Sequence, residues 1–231
     1  MLYVIILLTI ITLLILLKLL INTRIKDIKN LAENKQLNDI TNKFPENTEI
    51  CKKILKNLKN EEVNIKENTE NKSSFYFILT NTINIANIKE SYTRIQTIAH
   101  ECIHSIQDKR LLWFNYIFSN IYLIFFIVIC LLEVFNNTDL SLFYTSILLS
   151  LTCIWVFVRI FLETDAMTRA RYIAETYMKE ENIVKTDDID KVINEYERLN
   201  NIGIKLANYQ ILLSGMLKVL IFLCITILVK I

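Results

Sequence analysis

Glycine and proline are almost missing, with two glycines and one proline in 231 residues. That scarcity excludes collagen-like, Pro-rich and Gly/Ser-linker chains. It also argues against a many-stranded sandwich, whose turns demand Gly, Pro and Asp. An excess of one charge is missing too: 26 basic residues face 24 acidic ones, a net charge of +2. No global field points to nucleic acid. Histidine occurs only twice. The five cysteines (Cys51, Cys102, Cys130, Cys153 and Cys224) form no CxxC pair, which removes zinc-ribbon and haem-attachment motifs. Their odd count argues against a complete disulfide framework. Three of them lie in long apolar runs and read as small hydrophobes. What the chain does have is apolar content, 53% hydrophobic residues against 22% charged, too much for a mainly disordered chain.

Four apolar runs reach the roughly 20 residues that span a hydrocarbon core. They cover 2–21, 117–135, 140–162 and 211–229. Lys18, Glu133 and Arg159 lie near run ends, where long side chains snorkel. Lys218 lies inside the fourth run, where a charge is costly. The first run has no basic residue before it and no A-x-A-like site after it. Arg24, Lys26 and Lys29 follow it, so it reads as a retained anchor. The polar segments 22–116 and 163–210 carry the Lys and Arg near the run ends, and the 136–139 turn carries none. This bias predicts a multi-pass cell-membrane protein with both polar segments on the cytoplasmic side.

Within the first polar segment, residues 23–41 read as an amphipathic helix with Ile25, Ile28, Leu31 and Ala32 on one face. A break follows at Phe44-Pro45-Glu46. A second helix starts near Thr48 as N-cap, with Ile50, Ile54, Leu55 and Leu58 as its apolar stripe. The stretch from Glu61 to Lys72 reads as a polar loop. Phe75–Leu79 and Thr82–Ala86 read as a short β-hairpin around Thr80-Asn81. From Glu90 the helical period returns, through Ile95, Ile98, Ala99, Cys102 and Ile106. The last polar segment reads as a helix to about Glu181, a turn at Lys185–Asp188 and another helix from Ile189. The fold class is thus mainly α: a four-span helical membrane protein with a small polar domain containing a short hairpin.

The two histidines, His100 and His104, stand in the sequence His100-Glu101-Cys102-Ile103-His104. Positions i and i+4 share a helix face, so both imidazoles reach one metal ion. Glu101 projects about 100° from His100, within reach of a water on that ion. This is the zincin pattern of two His ligands and a Glu general base. A third protein ligand is needed, and with no third histidine it must be a carboxylate. Glu163 and Asp165 open the segment after the third run, and an even number of crossings returns that segment to the side of His100. Each also has a plain partner, Arg159 for Glu163 and Arg169 for Asp165, so spacing leaves the choice open.

In these motifs the chain resembles the small bacterial membrane zinc metallopeptidases of the YugP type, distant relatives of the HtpX-like and prenyl-protein gluzincin peptidases. The family carries an A-H-E-x-G-H-A-x-Q helix, here Ala99-His100-Glu101-Cys102-Ile103-His104-Ser105-Ile106-Gln107. It also carries an E-F-D-A-S-x-R-A helix after a transmembrane hairpin, here Glu163-Thr164-Asp165-Ala166-Met167-Thr168-Arg169-Ala170. The resemblance covers most of the chain. It implies a zincin-like (minigluzincin) domain, one zinc ion held by His100, His104 and Glu163, and Glu101 as the catalytic carboxylate. The implied activity is hydrolysis of peptide or protein substrates near the cytoplasmic membrane face. Ile103 replaces the family's Gly and is expected to crowd the face between the histidines. Met167 replaces a small polar residue. Arg169, Tyr172 and Tyr209 are candidate donors to an oxyanion.

Three rival readings compete with the peptidase. One is a membrane scaffold with a vestigial HExxH site, which Glu101→Gln distinguishes. An intramembrane protease would place HExxH inside a span, whereas here Glu90, Arg94, Asp108, Lys109 and Arg110 flank it. A transporter would have to build its ion path from Glu133 and Lys218.

Overall fold

The computed structural model describes residues 1–21, 33–67, 73–136 and 139–230. Seven α-helices and three short strands make up the described residues: α1 (Leu2–Ile21), α2 (Lys35–Thr41), α3 (Asn47–Asn57), β1 (Asn64–Glu67), β2 (Phe75–Phe77), β3 (Thr82–Ile85), α4 (Arg94–Ile106), α5 (Lys109–Asn136), α6 (Ser141–Glu181) and α7 (Thr186–Val229). The stripe Ile25, Ile28, Leu31 and Ala32 lies outside the described residues. The chain divides into two compact units. One comprises Met1–Asn22, Arg110–Phe161 and Lys205–Ile231, the other Thr23–Lys109 and Leu162–Ile204.

The first unit holds four helical segments long and apolar enough to cross a membrane, belonging to α1, α5, α6 and α7. Its core packs Tyr122, Ile129, Leu148, Val219, Phe222 and Leu223. Several polar groups in these spans find partners close by, as an apolar surrounding favours; the buried Thr226 hydroxyl has none among the described residues. Thr9 and Thr12 donate to the carbonyls of Ile5 and Leu8 at 2.8 Å. The Tyr122 hydroxyl meets Thr152 Oγ1 at 2.7 Å, and Trp155 Nε1 donates to Ser119 Oγ at 2.9 Å. Gly215 lets helices approach closely there: a Cβ on it would lie 2.9 Å from Thr152 Cγ2 and 3.0 Å from Val156 Cγ2.

Glu133 and Lys218, the two residues of the transporter reading, have local partners. Glu133, fully buried, accepts from Ser141 Oγ at 2.8 and 2.9 Å. Ser141 is the first residue of α6, and a carboxylate is favoured at a helix N-terminus. The Lys218 ammonium lies over the rings of Tyr122 (4.9 Å) and Trp155 (5.1 Å), a cation–π setting for a charge among apolar helices.

The second unit packs helices against a three-stranded sheet of order β1-β3-β2. β1 runs parallel to β3 and β2 antiparallel to it. Its core includes Ile50, Ile54, Ile83, Ile85, Ile95, Ile98, Ile103 and Ala166. Arg94 is fully buried at its heart. It donates to Asn47 Oδ1 and to the carbonyls of Thr41, Phe44 and Pro45 at 2.8–2.9 Å, fixing the α2–α3 connection onto α4.

Several expectations change. The stretch Glu61–Lys72 is not all loop, because Asn64–Glu67 forms β1. The hairpin is shorter than read, with a 3₁₀ turn at Ile78–Thr80 and Asn81 left-handed at φ 47°. Asparagine tolerates that conformation better than most residues. α3 begins at Asn47 with Glu46 in the cap position, so Thr48 lies inside its first turn. α4 begins at Arg94 rather than Glu90, because Tyr92 N–H is bonded to Asn38 Oδ1 (2.8 Å) instead of entering a helix. The last helix begins at Thr186, ahead of Ile189. The third apolar run and the segment after it form one helix, α6. The final polar helix and the fourth run likewise form one helix, α7.

Candidate metal centre

The ligand-bearing helix α4 is amphipathic. Ile95, Ile98, Ala99, Cys102 and Ile103 are buried in the core, which turns His100 and His104 to the other side, where both are only partly buried. Ile103 therefore does not crowd the face between the histidines, since its side chain is fully buried in the core. Met167 packs against Gly203, whose Cβ, if present, would stand 3.2 Å from Met167 Cε. Its carbonyl accepts from Asn200 Nδ2 at 3.0 Å.

The two imidazole rings stand edge to face with centroids 4.6 Å apart, and their Nε2 atoms are 3.0 Å apart. Glu163 Oε2 lies 3.5 Å from His100 Nε2 and 3.7 Å from His104 Nε2. Three donor atoms so spaced share a point about 2.0 Å from each, the distance at which imidazole nitrogen and carboxylate oxygen bind zinc-sized ions. The group fits a metal ion, and His100, His104 and Glu163 form the one cluster of this kind among the described residues.

Gln107 settles how His104 presents itself. Its amide nitrogen donates to the Leu162 carbonyl and to Asp165 Oδ2, both at 2.8 Å. Its oxygen therefore faces His104 Nδ1, also at 2.8 Å. An amide oxygen only accepts, so Nδ1 carries a hydrogen, and in the neutral imidazole Nε2 keeps its lone pair toward the site. Asp165 stands one step behind the ligands, bonded to Gln107 and 3.5 Å from Arg169 Nη1. Glu163 rather than Asp165 joins the histidines.

Glu101 is buried, 5% exposed. Burial pushes its carboxyl up from the usual range. His100 and His104 pull it down, Glu163 pushes it up, and a hydrogen bond from the Tyr76 backbone pulls it down. That bond brings β2 against the helix beside Glu101. For His104, burial works against the imidazolium. The bond to and charge of Glu163, with Glu101 and Gln107, outweigh it, and the net direction is upward. Two imidazole nitrogens and the Glu163 carboxylate around one point, with Glu101 nearby, concentrate lone pairs and negative charge where a cation can sit.

Sequence reasoning left Gln107 and the Tyr76 backbone without a role. Gln107 had a usable signal, since it follows His104 by three residues and caps the end of the same helix. The Tyr76 contact had none, because it depends on how the sheet packs on α4. Of the candidate oxyanion donors, Arg169 is engaged with Asp165. Tyr172 is exposed beneath the Arg171 guanidinium, and the Tyr209 hydroxyl donates to the Leu14 carbonyl at 3.3 Å. The chain matches no protein-family model, no curated protein and no solved structure.

Proposed function

We propose that this chain is an integral-membrane, zinc-dependent endopeptidase with a zincin-like domain, hydrolysing peptide bonds near the cytoplasmic membrane face. The observation that carries the reading is the convergence of His100 Nε2, His104 Nε2 and Glu163 Oε2 within 3.0–3.7 Å, with Glu101 next to His100 on the same helix. Two imidazoles and one carboxylate suit zinc better than harder cations, and three protein ligands leave a position open. When bound, zinc supplies Lewis acidity and a water made acidic enough to ionise near neutral pH. Glu101 takes the proton of the attacking water and passes it to the departing amine. Gln107 holds His104 in the ligating tautomer. β3 is paired on both sides, and the edge strand β2, whose Tyr76 backbone bonds Glu101, is the strand beside the site that pairs with an extended substrate. Glu163 follows the third apolar run directly in sequence, which supports a substrate at the membrane surface. The Lys/Arg distribution supports the cytoplasmic side.

The test starts with metal content. Wild type and Glu163→Ala, purified in detergent, are assayed by elemental analysis. About one zinc per chain is expected in the wild type and none in the variant. Zinc retained in Glu163→Ala would make Asp165 the third ligand. Cleavage of fluorogenic peptides is then compared with Glu101→Gln, which should keep zinc and lose at least about 10²-fold in rate. A wild type that cannot be loaded with zinc sinks the reading. Equal inactivity of wild type and Glu101→Gln, both holding zinc, would put an inactive scaffold in its place.

A further inference from the structure

Among the described residues, the sheet order leaves one edge of β1 unpaired. The parallel register sets Asn64 opposite Thr82 and Glu67 opposite Ile85, and the Asn64 N–H donates to the Asn81 carbonyl at 2.9 Å. In a parallel ladder alternate residues face the neighbouring strand. Asn64 and Lys66 therefore point their backbone groups at β3, and Ile65 and Glu67 point theirs outward. Beside Asn64 and Ile65 lies a groove of about 450 Å³, lined on the helix side by Lys52, Lys53, Leu55 and Lys56 of α3. Helical periodicity explains the lysines. α3 buries Ile50, Cys51, Ile54 and Leu55, so Lys52, Lys53 and Lys56 come out on the exposed side.

Lys53 is paired with Glu181 at 2.6 Å. Among the described residues, Lys52 and Lys56 have no ion-pair partner and Glu61 is the one acidic residue lining the groove. Like charges four apart on a helix repel, so this pair weakens α3 unless an anionic group covers it. An open strand edge takes up an extended chain through main-chain bonds, with alternate side chains on one side. Residues two apart in such a chain are spaced about 6.6–6.8 Å, close to the roughly 6 Å rise between Lys52 and Lys56.

We propose that the groove between α3 and the open edge of β1 docks an extended acidic peptide segment of a partner protein. The segment pairs its backbone with Ile65 and sets carboxylates two residues apart against Lys52 and Lys56. None of the metal-site residues lines this groove, and the proposal does not depend on the peptidase reading. An anionic lipid surface would also attract the lysines, but it has no backbone to pair with the strand.

The test is fluorescence anisotropy on the full-length protein in a neutral detergent. The probe is a fluorescein-labelled eight-residue peptide of alternating Thr and Glu. Saturable binding is expected. It should weaken at least tenfold for the Gln-for-Glu peptide, for a peptide N-methylated at alternate amides, and for Lys52→Glu/Lys56→Glu with an unchanged melting temperature. Lys52→Gln/Lys56→Gln, expected to lose at least threefold, serves if charge reversal disturbs the fold. Glu163→Ala should bind the probe like the wild type, and loss there would put the peptide at the metal ligands and overturn the proposal. Absence of saturable binding, equal affinity for the Gln peptide, or indifference to the lysine changes would overturn it too. A methylated peptide that binds as well as the parent would reduce the groove to a charged patch of the kind that meets lipid headgroups.

Discussion

Gln107 Oε1 lies 2.8 Å from His104 Nδ1, and through its amide nitrogen the same side chain grips the Leu162 carbonyl and the Asp165 carboxylate. One glutamine thus ties the helix that supplies two metal ligands to the segment that supplies the third. Truncating it to alanine leaves His104 free to turn and leaves the Glu163 segment without its tether. Partners of this kind typically account for about 10–100-fold in metal affinity. Gln107→Ala should therefore bind zinc about 10–100-fold more weakly in competition with a chromogenic chelator, while remaining folded by circular dichroism. Unchanged affinity would mean that packing alone orients the histidine.

Ile103 stands between the histidines in sequence but points away from them, fully buried in the core of the second unit. Its role is packing. Ile103→Ala should destabilise the protein by about 2–5 kcal/mol, and Ile103→Gly by about 1 kcal/mol more through the helix backbone. Neither should reduce the metal content of the folded fraction. The check pairs a thermal melt with elemental analysis of the same sample. A variant that folds well but loses its metal would place Ile103 in the site after all.

The apolar runs, α4 and the ligand pair were legible because each is written locally, in run length or in a period of 3.6. β1 was not. Asn64-Ile65-Lys66-Glu67 has one apolar residue in four, and its extended form comes from parallel pairing with β3, eighteen residues along in register, which no local pattern encodes. The helix ends at Leu162 and near Gln210 were misplaced for another reason. Composition changes there, but a chain with two glycines and one proline has little to break a helix with, so α6 and α7 continue through. Spacing alone left Glu163 and Asp165 open, because both had an arginine four positions away; the motif resemblance pointed to Glu163, the carboxylate that the structure brings to the histidines.

Arg94 carries another sequence lesson, since a lone arginine at the start of a helix reads as a solvated charge. Here it is fully buried and serves three carbonyls and the Asn47 amide oxygen. Arg94→Leu would remove the charge and strand those acceptors away from water. Each unsatisfied buried acceptor costs about 1–3 kcal/mol, so a loss of at least about 3 kcal/mol is expected. Arg94→Lys should recover only part of it, because an ammonium lacks the planar fork. Chemical denaturation of the two variants beside the wild type measures both. A small loss in Arg94→Leu would show that water reaches the Thr41, Phe44 and Pro45 carbonyls.

The second unit should also fail cooperatively in alkali. Tyr92, Tyr177 and Tyr196 sit in its core. Burial, with a push from Glu195, raises the Tyr92 phenol to about 12. Burial likewise raises Tyr177, with Glu181 adding to it, and Tyr196, with Tyr92 adding to it. In the unfolded chain each ionises near 10. Below that pH both states are neutral and the folded state keeps its full advantage. As pH climbs from about 10 toward 12, only the unfolded state releases these protons, so stability falls by up to about 1.4 kcal/mol per pH unit for each tyrosine. Absorbance at 295 nm should show exposed tyrosines ionising first, then a step that coincides with loss of helical circular dichroism. The Tyr177 hydroxyl is buried without a hydrogen-bond partner among the described residues. Tyr177→Phe therefore removes an ionisable group at little cost and should move the alkaline midpoint upward. Smooth titration of all ten tyrosines with the helices intact would mean that water already reaches this core.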